Sequence, residues 1–383
     1  MGGTRVVDLS GIQVVDNHCH PLERFDAPLD RRRWHSLFTE SDYEVRGEHV
    51  TRDMVYLRRL TRRLAGHLGC AADEEQLLTE RAARGHAAMT SDLFADAGIG
   101  GLVVDLGFPD PSVGLPMETL VPDGRYCALL RLEPLFQRLV AEHAMLEELL
   151  AIVDAELADL RGAGFGGVKS VAGYRTGLEI RPWGREEVEL SFAQARAEVA
   201  RTGAVRLGHK PLLDTLLLRA LAKASEQELP VQFHVGYGDR DVDLRLANPL
   251  HLRHVLEAPE LAGAKIVLLH GCWPYWREGA FLASVYPNTY LDISFGIPFL
   301  GRAELAATTA GALAVAPFSK VMYSSDGARV PEIFWLSAHD GRELIGSALD
   351  AMVSSGELGL DEAEKVGYRV LAGNAAEVYG LKG

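Results

Sequence analysis

The chain has 383 residues, of which 48% are hydrophobic, and its 39 basic against 53 acidic residues give a net charge of −14. This length suits one α/β barrel with insertions, and the acidic excess argues against a nucleic-acid surface, which needs clustered Lys and Arg. The longest apolar runs are far shorter than the roughly 20 residues of a membrane span. The first ten residues lack the apolar stretch of a signal peptide. The four cysteines show no paired short spacing, so we expect a reduced, cytoplasmic protein.

Eight segments share one pattern, a short apolar run that ends in a polar or ionisable residue followed by Gly or Pro. They span residues 12–21, 101–109, 126–134, 166–175, 230–239, 265–274, 289–298 and 320–327. Their Val, Ile, Leu, Tyr and Phe content is typical of buried parallel strands. Apolar residues at three- and four-residue spacing predict helices between them, over residues 146–163, 186–201, 211–228 and 249–257. This eightfold alternation favours a closed (β/α)8 TIM barrel. A doubly wound open sheet remains the alternative, although no glycine-rich dinucleotide fingerprint follows any strand.

One long segment, residues 22–100, separates the first two predicted strands and is too long for a single crossover helix. Its pattern predicts helices over residues 51–68 and 74–97. An insertion after the first strand lies above the C-terminal mouth of a barrel, where it serves either as an active-site lid or as additional packing or a subunit contact. We interpret residues 1–383 as one barrel domain that contains this helical insertion.

The first predicted strand ends in two histidines, His18 and His20. Side chains two residues apart on a strand project from the same face, so both imidazoles can reach one ion. A histidine pair at a strand end can equally be satisfied by backbone groups or water. Taken alone, the pair leaves both interpretations open.

Four further ionisable residues follow the same rule. His234, His270 and Asp326 end the fifth, sixth and eighth predicted strands, and Lys169 lies within the fourth. Because the carboxyl ends of all barrel strands open at one face, we expect these side chains to converge with the histidine pair. Imidazole and carboxylate are the ligands that zinc and its neighbours prefer, and three or four of them leave room for a water. The pattern therefore favours a metal site.

These residues, in this order on these strands, resemble the amidohydrolase superfamily. Within it the sequence is similar to the branch labelled amidohydrolase-related or "amidohydrolase 2", on the segments HVGYGD (234–239), KS (169–170), YRTGL (174–178) and the closing GNAAEVYGL (373–381). The resemblance covers most of the chain. It is strongest to the amidohydrolase-like domains that are sometimes fused to glutamine-synthetase-like domains.

The resemblance implies a role for each of these residues. His18, His20 and His234 bind a divalent ion, Zn²⁺ or alternatively Mn²⁺, with Asp326 as a further ligand or as the general base. His270 either orients the substrate carbonyl or completes a second metal site. A bound ion lowers the pKa of its water from about 15.7 towards 7, and Asp326 can accept the proton and pass it to the leaving group.

Lys169 has three interpretations that the sequence leaves open. A carboxylated lysine on the fourth strand bridges two ions in binuclear members of the superfamily, which here would include His234 and His270. A protonated lysine would instead pair with a substrate carboxylate beside a single ion. The third interpretation is a lysine paired with a buried acid such as Asp105 or Asp292. One ion is therefore expected, or two if Lys169 is carboxylated.

Four residues beyond the strand ends are candidates for substrate contact. Tyr174 and Arg175 follow the fourth predicted strand, and Arg329 lies in the eighth loop. Either guanidinium can clamp a substrate carboxylate at two points. Trp273, in the sixth loop, is placed to wall the pocket. For each of the four, packing or pairing with a neighbour is an equally good explanation.

Together these features predict a metal-dependent amidohydrolase that cleaves an amide or related C–N bond of a small carboxylate-bearing molecule with a metal-activated water. The alternative, known in the same branch, is non-oxidative decarboxylation of an aromatic or unsaturated acid at a single ion. A non-catalytic scaffold is disfavoured because no expected ligand is missing. We expect a homo-oligomer, because barrels of this kind often pair, and no nucleic-acid or membrane partner.

Overall fold

The eight predicted strands form one parallel sheet in which each strand pairs with the next along the chain. The computed structural model describes residues 7–25, 27–41, 48–109 and 112–382. The strands are β1 (Val14–Cys19), β2 (Ile99–Asp105), β3 (Tyr126–Arg131), β4 (Phe165–Ser170), β5 (Pro230–Phe233), β6 (Lys265–Leu268), β7 (Thr289–Ser294) and β8 (Val321–Ser324). Nearly all of their residues are buried, as a barrel surrounded by helices requires. The predicted (β/α)8 barrel is confirmed.

The barrel closes where the end of β8 meets β1. The backbone N–H of Asp326 donates to the carbonyl of His18 at 3.0 Å. The carboxylate of Asp16, buried in β1, accepts from the backbone N–H of Ser325 at 2.8 Å and also from its hydroxyl. These contacts fix the residues after β8 against the carboxyl end of β1.

Helices cover the outside of the barrel. They are α6 (Leu132–Glu142), α7 (Leu146–Glu156), α8 (Arg185–Thr202), α9 (Lys210–Glu226), α10 (Arg253–Glu257), α11 (Trp276–Val285), α12 (Arg302–Val315), α13 (Pro331–Ser355), α14 (Leu360–Tyr368) and α15 (Asn374–Tyr379). Two predicted helices are shorter than expected: α7 ends before a turn that leads to Gly164, and a 3-10 turn at Pro249–Leu252 precedes α10. No helix in the described ranges combines the length and apolarity needed to cross a membrane.

The segment between β1 and β2 is helical, as predicted, but its helices are more numerous. They are α1 (Arg31–Ser36), α2 (Glu48–Asp53), α3 (Val55–Leu68), α4 (Glu74–Arg84) and α5 (His86–Asp96). The single helix predicted over residues 74–97 is wrong, because Gly85 has φ +78° and interrupts the helical hydrogen bonding. The helix predicted over residues 51–68 is likewise divided, at Met54, whose backbone is extended.

Buried ion pairs hold this segment against α13. The guanidinium of Arg81 on α4 lies 2.6 Å from the carboxylate of Glu332, and both side chains are buried. On α3, Arg59 lies 3.1 Å from the buried carboxylate of Asp340. The insertion is therefore fixed to the barrel along two of its helices, and its proposed role as a lid stays a prediction.

We expect the substitution Arg81→Met to lower the free energy of unfolding by about 3–5 kcal/mol, because it leaves the Glu332 carboxylate buried without its partner. Urea unfolding followed by circular dichroism measures this loss. The control is Arg58→Met, which removes an exposed pair with Asp53 at 3.2 Å and should cost less than about 1 kcal/mol. Equal losses in the two variants would contradict the anchoring role.

Candidate metal centre

Two histidines from β1 and one aspartate after β8 form a compact cluster at the carboxyl end of the barrel. The Nε2 atoms of His18 and His20 lie 3.4 and 3.6 Å from Oδ1 of Asp326. One ligand atom from each of the three residues lies within 4.8 Å of the others. Because side chains alternate along a strand, His18 and His20 lie on the same face of β1. The junction between β8 and β1 then brings Asp326 next to them.

The cluster has the spacing and protonation that a divalent ion requires. Two ligand atoms that each lie about 2.1 Å from a tetrahedral ion are about 3.4 Å apart, close to the observed separations. Burial lowers the pKa of His18 to about 3, with the nearby charge of Lys169 contributing, so its imidazole is neutral and able to ligate. Burial disfavours the Asp326 carboxylate, but His270, His18 and His20 hold its pKa well below the usual range. The donor set therefore fits a metal ion such as zinc.

Tyr237 orients the aspartate of this cluster, a contact that the sequence analysis missed. Its hydroxyl donates to Oδ2 of Asp326, so that Oδ1 faces the two histidines. Tyr237 is buried and lies three residues after His234 in the loop that follows β5. The sequence suggested this role only through the position of Tyr237 within the segment HVGYGD, because a tyrosine by itself does not indicate a residue that orients a metal ligand.

The other two predicted histidines form a separate pair. Nδ1 of His234 lies 2.9 Å from Nε2 of His270, while Nε2 of His234 donates to the carbonyl of Tyr237. In the described residues, the group within ligand distance comprises His18, His20 and Asp326, and His234 lies beside it rather than within it. The paired ring nitrogens of His234 and His270 are the donors that a second ion would use.

Left-handed backbone conformations concentrate at these strand ends. His270 and Cys272 after β6 have φ values of 64° and 54°, and Asp326 and Arg329 after β8 have values of 50° and 66°. Such conformations are costly for residues other than glycine and persist where the surroundings enforce them. At His270 the enforcing contact is visible, since its backbone N–H donates to the buried carboxylate of Asp292 at 2.7 Å.

Lys169 lies at the floor of the site, almost fully buried. Its Nζ is 3.2 Å from Nε2 of His18 and 3.9 Å from Oδ2 of Asp105. Burial lowers the pKa of Lys169 to about 8, although Asp105 opposes the shift. Asp105 is also held by Arg131, whose Nε and Nη2 lie 3.0 and 2.6 Å from its Oδ2. The pairing with Asp105 that the sequence analysis considered is therefore present, and Lys169 still faces the histidine.

A cavity of about 280 Å³ opens above the cluster. Six of the residues predicted for the site line it: His20, Lys169, Tyr174, Arg175, His234 and Asp326. Trp273 is turned away, with its indole N–H donating to Glu304 at 3.1 Å. Arg329 also points elsewhere, with its Nε 3.1 Å from Glu23.

Three arginines form one wall of the cavity: Arg131, Arg175 and Arg206. The Nε of Arg175 is buried and has no hydrogen-bond partner in the described part of the chain, whereas Arg131 and Arg206 are paired with Asp105 and Asp241. Sequence reasoning missed Arg131 although it ends β3, and it missed Arg206 because that residue precedes α9, far from any strand end. Arg175 is thus the wall residue with free hydrogen-bonding capacity.

The insertion contributes Glu40 to the same cavity. Glu40 follows α1 in a stretch without strand or helix periodicity, so no sequence pattern pointed to it. Burial raises its pKa to about 7, and the charges of Asp326 and Asp239 add to the shift. The segment after β1 therefore supplies a carboxyl group to the site.

Comparison with protein families gives a match over more than half of the chain. A model described as Amidohydrolase (Amidohydro_2) matches residues 151–381, which include four of the strand-end residues but not the histidine pair of β1. The predicted resemblance is confirmed by this match. Protein fluG of Emericella nidulans is 33% identical over 240 residues, which cover 60% of this chain and 27% of fluG. The chain thus spans about a quarter of the length of that relative.

Solved structures share the fold over nearly the whole chain. A Lactobacillus casei protein with the provisional name of a metal-dependent hydrolase is 28% identical, with a TM-score of 0.86 over 97% of this chain and 96% of that one. A uronate isomerase from Bacillus halodurans is 16% identical, with a TM-score of 0.65 over 97% of this chain and 94% of its own. A uronate isomerase from Thermotoga maritima is 12% identical, with a TM-score of 0.67 over 99% and 100%. The two isomerases show a shared fold alone.

We expect Tyr237→Phe to weaken binding of a divalent ion by about 10- to 100-fold, because Asp326 loses the hydrogen bond that orients it. Competition with a chromogenic chelator measures the affinity. The matched control is Tyr275→Phe, which removes a hydroxyl that donates to the Leu244 carbonyl at 2.9 Å and should leave the affinity unchanged. Wild-type affinity in both variants would show that Tyr237 does not support the metal site.

Proposed function

Because the chain belongs to the amidohydrolase family, we propose that it is a metal-dependent hydrolase that cleaves an amide or related C–N bond of a small carboxylate-bearing molecule. The observation that carries the proposal is the cluster of His18, His20 and Asp326 beside a cavity whose wall contains Arg175, with its buried Nε unpaired among the described residues. The ion that suits two imidazoles and a carboxylate is Zn²⁺, with Mn²⁺ as the alternative.

When bound, the ion supplies a water of lowered pKa and polarises the substrate carbonyl. The imidazoles of His18 and His20 and Oδ1 of Asp326 would hold it. His234 and His270 would hold a second ion when Lys169 is carboxylated, and otherwise His270 orients the carbonyl. The proposal therefore retains one ion, or two, with Lys169 as the deciding residue.

Asp326 is the proposed proton carrier. Its carboxylate remains ionised in the buried site because the surrounding histidines lower its pKa, so it can accept the proton of the attacking water. The water oxygen bonds to the carbonyl carbon, the C–N bond breaks, and Asp326 returns the proton to the leaving nitrogen. Tyr237 keeps the aspartate in the orientation that both steps require.

Arg175 is the proposed anchor for the substrate carboxylate. Its guanidinium lines the cavity with a buried Nε that has no partner in the described residues, and an unmet charged donor favours binding of an anion. Tyr174, beside it, has its ring 4.6 Å from that of His234 and would form the adjacent wall. Arg329 and Trp273 stay predictions as substrate contacts, as do the expected cytoplasmic location and homo-oligomer.

We expect chelation of the metal to abolish hydrolysis of N-acyl amino acids and γ-glutamyl amides, and Zn²⁺ or Mn²⁺ to restore it. His18→Ala should purify without a stoichiometric metal and without activity, because one of three ligands is lost. Elemental analysis and amine release measure these effects. The control is His254→Ala, which changes an exposed histidine on α10. Undiminished activity of the metal-free His18→Ala variant would contradict the proposal. Release of carbon dioxide from an aromatic acid, without cleavage of any amide, would also contradict it.

We expect Arg175→Ala to raise the KM for carboxylate-bearing amides by about 10- to 100-fold. The variant loses a charge-assisted hydrogen bond to the substrate carboxylate in a buried site, and such a bond contributes roughly this much to affinity. The same variant should process the corresponding methyl esters of those carboxylates as the wild type does. Steady-state kinetics on each acid and ester pair measures this difference. Arg201→Ala, on the exposed face of α8, serves as control, and an equal rise in KM for acid and ester would contradict the anchoring role.

A further inference from the structure

Glu40 is the one member of the cavity wall that the insertion supplies in the described ranges. Its side chain is partly buried, and no hydrogen bond or ion pair joins its carboxyl group to another described residue. Partial burial of a carboxylate costs free energy unless a partner compensates its charge. Because Glu40 faces the cavity, the missing partner is one that enters the cavity.

The charges around Glu40 define the partner's sign. Its carboxyl group interacts unfavourably with the carboxylate of Asp239, and also with that of Asp326 as long as no cation offsets the Asp326 charge. Arg329 is the cation that acts on it, but this guanidinium is engaged by Glu23 at 3.1 Å. A cation in the cavity beside Glu40 would offset both the free-energy cost of burying its carboxylate and the repulsion from the neighbouring carboxylates.

The arginine wall is a separate electrostatic region of the same cavity. Arg175 follows β4, three strands further around the barrel from the segment that carries Glu40. Its charged neighbours are Glu133, Arg206, Arg131 and Asp241, none of which acts on Glu40. The cavity therefore offers one region for an anion and another for a cation.

We propose that Glu40 receives a positively charged amino group of the substrate, so that the substrates are amides that carry both a carboxylate and an ammonium group. This inference rests on the proposed hydrolase function and narrows its substrate class. It also gives the insertion a chemical role, because Glu40 is a specificity-determining residue that lies outside the barrel strands.

The experiment compares substrates that differ only in the ammonium group. L-alanyl-glycine and N-propionyl-glycine form one such pair, and γ-glutamyl and glutaryl p-nitroanilide form another. We expect the wild-type enzyme with its metal to prefer the ammonium-bearing member of at least one pair by about tenfold or more in kcat/KM. Glu40→Gln should remove this preference, because it raises the KM of the ammonium-bearing member more than the KM of its partner.

The matched control is Glu80→Gln, an equivalent change at an exposed position on α4 of the same insertion, which should retain the preference. Hydrolysis of both members of each pair at equal efficiency would overturn the inference and leave the hydrolase function standing. If no amide is cleaved, the hydrolase function fails, and isothermal titration calorimetry with the same pairs still tests Glu40. Tighter binding of the ammonium-bearing member that Glu40→Gln abolishes would support the role of Glu40, and equal binding by the wild type would overturn it.

Discussion

The contact between the end of β8 and β1 closes the barrel, and the candidate metal centre is built across this junction. The backbone hydrogen bond from Asp326 to His18 fixes the position of the aspartate along the barrel axis relative to both histidines. Asp16 holds the adjacent Ser325 from below, and burial raises the pKa of Asp16 to about 8 despite those hydrogen bonds. The backbone of the candidate ligand Asp326 is therefore positioned by main-chain pairing with β1, while Tyr237 orients its carboxylate.

A layer of buried acids supports the groups above it. Asp292 holds the backbone of His270, Asp105 lies between Arg131 and Lys169, and Glu133 accepts from Ser170 and the backbone N–H after it at 2.7 and 2.9 Å. Buried carboxylates are tolerated when hydrogen bonds or cations compensate them, and such supports fix the orientation of metal ligands. Buried acids thus restrain the chain at the ends of β4, β6 and β8.

The strand-end rule explains how much of the fold and site the sequence predicts. A buried parallel strand is apolar until it reaches the mouth of the barrel, so a histidine, lysine or aspartate at its end predicts a functional face there. Six such residues lie at this mouth, and four of them line the cavity: His20, Lys169, His234 and Asp326. Glu40 was not predicted, because it lies in an irregular segment without the hydrophobic periodicity of a helix or a strand. Its position depends on how the insertion packs against the barrel. Arg329 was predicted to contact the substrate from its position in the eighth loop, but its guanidinium pairs with Glu23, a contact that the sequence pattern does not reveal. Gly85 shows that one residue can divide a helix that periodicity alone predicts.

The origin of the ligands from the first and the last strand has a consequence for biosynthesis. His18 and His20 leave the ribosome long before Asp326, and the three-ligand cluster exists only after β8 has paired against β1. An ion held by that cluster would stabilise the closed barrel, since the cluster forms only when the end of β8 lies against β1. Retention of the ion at this centre would therefore require that junction, which a chain interrupted before β8 cannot form.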